Sequence, residues 1–167
     1  MQKKFLIIAM MYLLNIVSFD VNASEVGEAA PQFTLPSLNG NQSVSLKQME
    51  GKVIYLDFWA SWCAPCRTSF PLLNKLYEKY KSQGFEVVAV NLDEDKTKAE
   101  EFLKEIPVEF TVLSDASGEW SDKFVVESMP TSFIIDKKGI IQNIHKGFVS
   151  GDIEGLEAKI IKLIGNK

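Results

Sequence analysis

Cysteine and histidine are nearly absent from this chain: two Cys and one His in 167 residues. That excludes a structural zinc site, which takes about four ligands, and a disulfide-stapled scaffold, which spends many cysteines on a small core. There is no basic stripe. Eighteen Lys and Arg stand against twenty-two Asp and Glu, for a net charge of −4, and the signs are interspersed. Nucleic acid is therefore not an expected partner. The densest charge run, Asp93-Glu94-Asp95-Lys96-Thr97-Lys98, reads as a solvated surface and helix start. No internal repeat, low-complexity tract or interdomain linker divides the sequence, so one domain is expected. The lone histidine, His145, is remote from the cysteines in sequence and reads as a strand-end surface residue.

What is present is a pair of cysteines in one motif, Trp62-Cys63-Ala64-Pro65-Cys66. The run before it, Val53 to Trp59, has the apolar character of a buried strand; the run after it, Arg67 to about Lys81, has helical spacing. A Cys-x-x-Cys pair between strand and helix is placed for redox work. The free N–H groups and positive dipole end of the helix favour a thiolate, the form that attacks disulfides. A purely structural disulfide of such short span would gain little, because loop-closure stabilisation grows with loop length. Cys63 stands nearer the helix start and is expected to be the more exposed thiol and the nucleophile. Cys66, one turn in, is expected to resolve the mixed disulfide.

Asp57 interrupts an otherwise apolar strand. A buried carboxylate is costly unless it has a role, and desolvation raises its pKa. That suits a group taking the proton from Cys66. At the N-terminus, Lys3 and Lys4 precede an apolar run from Phe5 to about Val17, and Val21-Asn22-Ala23 offers a cleavage site. This predicts a signal peptide over residues 1–23 and a periplasmic mature domain over 24–167, an uncleaved anchor being the less favoured alternative. No cysteine follows the apolar run, which argues against lipoprotein processing. Ser24 to Ala30 reads as a loose leader.

The remainder alternates strand and helix. Short apolar alternations from Gln32 to Leu46 around Asn39-Gly40-Asn41 suggest a hairpin, and Ser45 to Glu50 a short helix. Phe85 to Leu92 reads as a strand. Asp95 caps a helix with Ala99, Phe102, Leu103 and Ile106 on one face, stopped by Pro107. Val108 to Leu113 is a strand and Ser117 to Val125 a weaker helix. Thr131 to Asp136 and Ile140 to His145 form strands around Lys137-Lys138-Gly139, and Asp152 opens a last helix through Ile164. The order predicts an α/β domain, with a central mixed sheet covered by helices on both faces.

Asp57-Phe58-Trp59-Ala60-Ser61-Trp62-Cys63-Ala64-Pro65-Cys66 resembles the active-site segment of the thioredoxin superfamily. Pro71 matches its helix-kinking proline, Met129-Pro130-Thr131 its cis-proline loop, and Gly147 the glycine after its last strand. The leader hairpin and the helix–strand–helix inserted before Pro130 are similar to the TlpA/ResA-like exported thiol-disulfide oxidoreductases. The resemblance implies a thioredoxin fold and disulfide exchange through Cys63 and Cys66, with Asp57 as the buried acid. It further implies a target-contacting surface formed by Trp62, packed beside the sulfurs, with Met129, cis-Pro130 and Thr131. A target would pair with the Met129 backbone as a short added strand. Many ResA-like relatives carry a glutamate three residues after the second cysteine; here Ser69 stands there, which leaves proton handling to Asp57.

The same resemblance implies no metal or cofactor and a monomer. Its partners would be disulfide-bearing exported proteins, such as cytochrome c apoproteins or metal-chaperone proteins, and a membrane thiol-transfer protein as electron donor. Ala64-Pro65 lacks the histidine that strong oxidants carry between their cysteines, which leans towards reduction. Two alternatives remain. A thiol peroxidase would need Thr or Ser three residues before the reactive cysteine and Pro seven before, where Ala60 and Leu56 stand. A copper-handling assembly protein would use Cys63 and Cys66 as soft ligands but lacks an evident third. A redox-inert docking module is disfavoured because both cysteines are retained.

Overall fold

The structure is a computed structural model and describes residues 24–38, 40 and 42–165. The predicted signal peptide and the two asparagines of the predicted hairpin turn, Asn39 and Asn41, lie outside the described residues. Among the described residues, no helix is long and apolar enough to cross a membrane.

The leader hairpin is real but small. β1 (Thr34–Pro36) pairs antiparallel with β2 (Ser43–Ser45). A 3₁₀ turn over Leu46–Met49 follows, opened by a capping box between Ser45 and Gln48. The central sheet holds β3 (Val53–Trp59), β4 (Phe85–Asn91), β5 (Thr111–Ser114), β6 (Thr131–Ile135) and β7 (Ile141–Lys146) in the order β5-β4-β3-β6-β7. β3, β4 and β5 run parallel; β6 and β7 are antiparallel. Every residue of β3, β4 and β6 is buried, which explains why they are largely apolar without alternation and why Asp57 stands out.

The helices are α1 (Ala64–Tyr80), α2 (Lys96–Glu105), α3 (Glu119–Lys123) and α4 (Asp152–Gly165). The predicted strand at Val108 begins only at Thr111. The predicted helix from Ser117 to Val125 shortens to five residues, because Gly118 at its start and Val125 at its end take positive φ. α1 starts earlier than Arg67: Pro65 sits in its first turn, where its missing N–H costs nothing. Asp95 caps α2 as expected, accepting the Thr97 N–H.

Two cores flank the sheet. Val53, Tyr55 and Trp59 of β3 join Cys63, Cys66, Phe70 and Leu73 of the α1 side, with Phe102 and Ile160, in one. Ile54, Leu56 and Phe58 join Phe33, Val88, Phe124 and Phe133 in the other. The period-two alternation of a strand produces this division and assigns Asp57, between Tyr55 and Trp59 in parity, to the cysteine face.

Candidate active site

Cys63 is the N-cap of α1 and is bonded to Cys66 in a disulfide with a Cα–Cα distance of 5.3 Å. The Cys66 N–H points back at Cys63 Sγ at 3.2 Å. An N–H of the first turn therefore already addresses the sulfur that carries negative charge as a thiolate. In this oxidised state neither sulfur residue is open. Cys63 is 3% exposed and Cys66 0% in the disulfide. The closed ring folds both sulfurs into the core that contains Phe70 and Phe148, against which Met129 packs. What faces solvent is the rim: Trp62, Ala64 and Pro65. Trp62 is 70% exposed.

The loop that carries Trp62 is fixed from behind by a residue misread in the sequence. Asp93 is buried, not solvated. It accepts the Ser61 N–H at 2.8 Å, the Ser61 hydroxyl at 2.9 Å and the Asn91 side-chain amide at 2.7 Å. The cause is tertiary: parallel register opposes Trp59 to Asn91, so the residues leaving the two strand ends lie side by side. The polar Asn91 at a strand end marks that spot.

Asp57 is 1% exposed, and burial pushes its carboxyl well above the ordinary carboxylate range. Its Oδ2 has no hydrogen-bond partner, and neither does the Nε1–H of fully buried Trp59, two residues on. Both lie on the cysteine face. The Ser69 hydroxyl is buried and donates to the Cys66 carbonyl, so it is engaged by the helix backbone.

Opposite α1, the Met129–Pro130 peptide is cis. Pro130 is buried and Met129 half-buried. The Pro130 carbonyl accepts the Gly147 N–H at 2.7 Å, tying the loop to the end of β7. Thr131 is fully buried and its hydroxyl donates to the Ser128 carbonyl at 2.6 Å, so its side chain shapes the loop and does not face a target. His145 is not a free surface residue: its Nε2 lies 3.1 Å from Asp152 Oδ2, the carboxylate that also accepts the Val149 N–H.

A Cys-x-x-Cys disulfide at a helix N-cap, facing a cis-proline loop at the end of a mixed five-stranded sheet, defines a thiol-disulfide oxidoreductase of thioredoxin fold. Comparison with known proteins agrees. The Redoxin family model matches residues 25–160, and the chain belongs to that family. It is 40% identical over 121 residues to the thiol-disulfide oxidoreductase ResA of Bacillus thuringiensis subsp. konkukian, covering 72% of this chain and 69% of the relative. It is 33% identical over 165 residues to a ResA of Bacillus cereus, covering 93% and 95%. A crystal structure assigned as a thiol:disulfide interchange protein DsbE from Chlorobium tepidum superposes with a TM-score of 0.82 at 47% identity, covering 86% of this chain and all of the other.

Proposed function

We propose that the protein reduces disulfides of exported proteins, with Cys63 as nucleophile, Cys66 as resolving thiol and Asp57 as the base that serves Cys66. The observation that carries the reading is the position of Cys63 at the N-cap of α1, with the Cys66 N–H directed at its sulfur. In the first exchange the Cys63 thiolate attacks one sulfur of the target disulfide; the other target sulfur leaves as a thiolate. In the second, Cys66 loses its proton to Asp57 and attacks Cys63 Sγ, and the target's second sulfur leaves. The target gains two electrons and this protein ends as the Cys63–Cys66 disulfide.

An unpaired, desolvated carboxyl on the cysteine face supports Asp57 in that role. Exposed Trp62 and half-buried Met129, at the edge of the cis-proline loop, suit target contact. The reducing direction rests on Ala64-Pro65, which offers Cys63 no side-chain donor, so the thiolate form is less stabilised than beside a histidine. Export rests on the pattern of residues 1–23, and it calls for a membrane thiol-transfer protein to return the dithiol to its reduced form.

Glutathione redox titration of the mature protein tests the direction, each ~30 mV being worth about 1.4 kcal/mol. A potential near that of thioredoxin is expected; one near the strongly oxidising dithiols would reverse the assignment. Brief alkylation of the reduced protein should label Cys63 well before Cys66. Cys66→Ala should retain targets as mixed disulfides, which identifies them.

A further inference from the structure

A single row of side chains crosses the sheet at the level of Asp57. Register pairs Ala89 of β4 with Asp57 of β3, Asp57 with Ser132 of β6, and Ser132 with His145 of β7. Directly opposed residues share a face, and their Cβ atoms lie about 4.5–5.5 Å apart in antiparallel pairs. Ser132 is followed two residues on by Ile134, which sits in the cysteine-side core, so the row lies on the face that carries the disulfide. One end of the row is apolar, Ala89 and then Val112 of β5. The other is His145, whose ring meets Asp152 at the start of α4 with 27% of its side chain in solvent.

Tyr55 completes the set. Its buried phenol is raised well above its usual pKa, chiefly by burial and then by the Asp57 charge, while a Ser132 hydrogen bond pulls it down and the Asp152 charge adds a smaller rise. One hydroxyl thus senses Asp57 and Ser132 of the row and the carboxylate that meets His145 at its end, and it stays protonated. The groups facing Asp57 are therefore Tyr55 on its own strand, Ser132 on β6, the cysteines at the start of α1 and, beyond Ser132, His145 and Asp152. β4 contributes only an alanine.

The site needs such a path. Asp57 is 1% exposed, and both cysteines are closed off on the α1 side even before a target docks. In the mixed disulfide the target itself covers Cys63. We infer that the Asp57–Ser132–His145 row, with the Tyr55 hydroxyl on the same face beside it, is the proton exit of the site, passing the proton that Asp57 takes from Cys66 to the surface at His145, with Asp152 positioning the imidazole. The S–H bond of Cys66 breaks and an O–H bond forms on Asp57. That proton moves through the hydroxyls, each gaining one O–H bond as it gives up another, becomes an N–H on the ring, and is lost to water. No electrons travel along the row; both remain in the sulfur exchange. Ser132, Tyr55 and His145 are thereby positioning residues for the second exchange.

This inference rests on Asp57 as the base, and one stopped-flow experiment separates the two ideas. Mixed-disulfide formation and its resolution are measured in wild type, Asp57→Asn, Ser132→Ala, Ser132→Thr and His145→Ala, with and without added imidazole. Ser132→Ala and His145→Ala should each slow resolution about tenfold, less than the ~10²-fold or more that an acid–base group itself supplies, and leave formation unchanged. Ser132→Thr, which keeps the hydroxyl, should run near the wild-type rate. Imidazole should restore His145→Ala and not Ser132→Ala, a response that a lost structural contact would not give. Wild-type resolution in Ser132→Ala and His145→Ala beside a slow Asp57→Asn overturns the row and leaves the base in place. Failure of imidazole to restore His145→Ala also overturns it. Wild-type resolution in Asp57→Asn overturns the base and the row together.

Discussion

On β3, Leu56 and Phe58 face one side of the sheet and Asp57 and Trp59 the other. Each side builds a ring cluster at similar spacing. Phe58, Phe124 and Phe133 lie 5.0–6.0 Å apart on the far side; Trp59, Phe70 and Phe102 lie 4.7–5.1 Å apart on the cysteine side. The first cluster is all hydrocarbon. The second includes an indole N–H without a partner, and it shares its core with the disulfide and, by strand parity, its face with a carboxyl. Burial of an unpaired polar atom costs roughly 1–3 kcal/mol. The cysteine side tolerates that cost at two atoms, while the other side carries none among the described residues. The sheet therefore separates duties: one face supplies cohesion, the other gives up some of it for chemistry.

The sharpest way to break this comparison is on the far face. Phe133→Ala should destabilise the fold by about 3–5 kcal/mol, the usual cost of emptying a buried aromatic site. Thiol exchange by the folded fraction should stay near wild type. Denaturant melts with single-turnover kinetics check this; a large loss of exchange in still-folded protein would show that the two faces are coupled.

Asp57→Asn should act in the opposite sense. Resolution of the mixed disulfide should slow by ~10²-fold. Stability should rise, because the buried group no longer has to ionise. Burial raises the folded-state pKa of Asp57, so its contribution to stability is fully present below the unfolded carboxylate value, ~3.9, and is lost as pH rises through the raised folded value. The stability difference between variant and wild type should therefore grow with pH over that window and then level off. Melts across a pH series measure it, and a flat difference would show that Asp57 is not desolvated.

Two smaller effects test the rim. Asp93→Ala strips the Ser61 loop of its buried acceptor and should cost about 1–3 kcal/mol, with slower exchange as Trp62 and Cys63 lose their backing. Thermal melts with insulin reduction would show whether both fall together. Trp62→Ala should change stability by no more than ~0.5 kcal/mol, since the ring lies mostly in solvent. Its KM for a protein disulfide should rise while the rate with a small disulfide holds.

Most of the site is legible along the chain. The Cys63–Cys66 pair, the strand before it and the helix after it are contiguous, so local rules suffice for them. Asp57 is conspicuous because a charge in an apolar strand has few innocent explanations. Asp93 is misread because its neighbours in sequence are charged and exposed; only the parallel pairing of β3 with β4 carries it beneath Ser61. Trp62 at 70% exposure and Thr131 at 0% differ for a similar reason: how far a side chain is buried near a loop depends on what the loop rests against.

Composition, spacing and period-two or helical patterning by themselves determined that this chain makes an α/β domain with a dithiol at a strand–helix junction and a buried acid two residues before Trp59. Those are properties of neighbours along the chain, where geometry follows from bond lengths and backbone sterics. The tertiary structure alone decided that Ser132 and His145 line up with Asp57, and that α4 brings Asp152 to the histidine. Register between strands far apart in sequence is set by the sum of side-chain packing over the whole sheet. A slip of one residue would turn Ser132 to the hydrocarbon face.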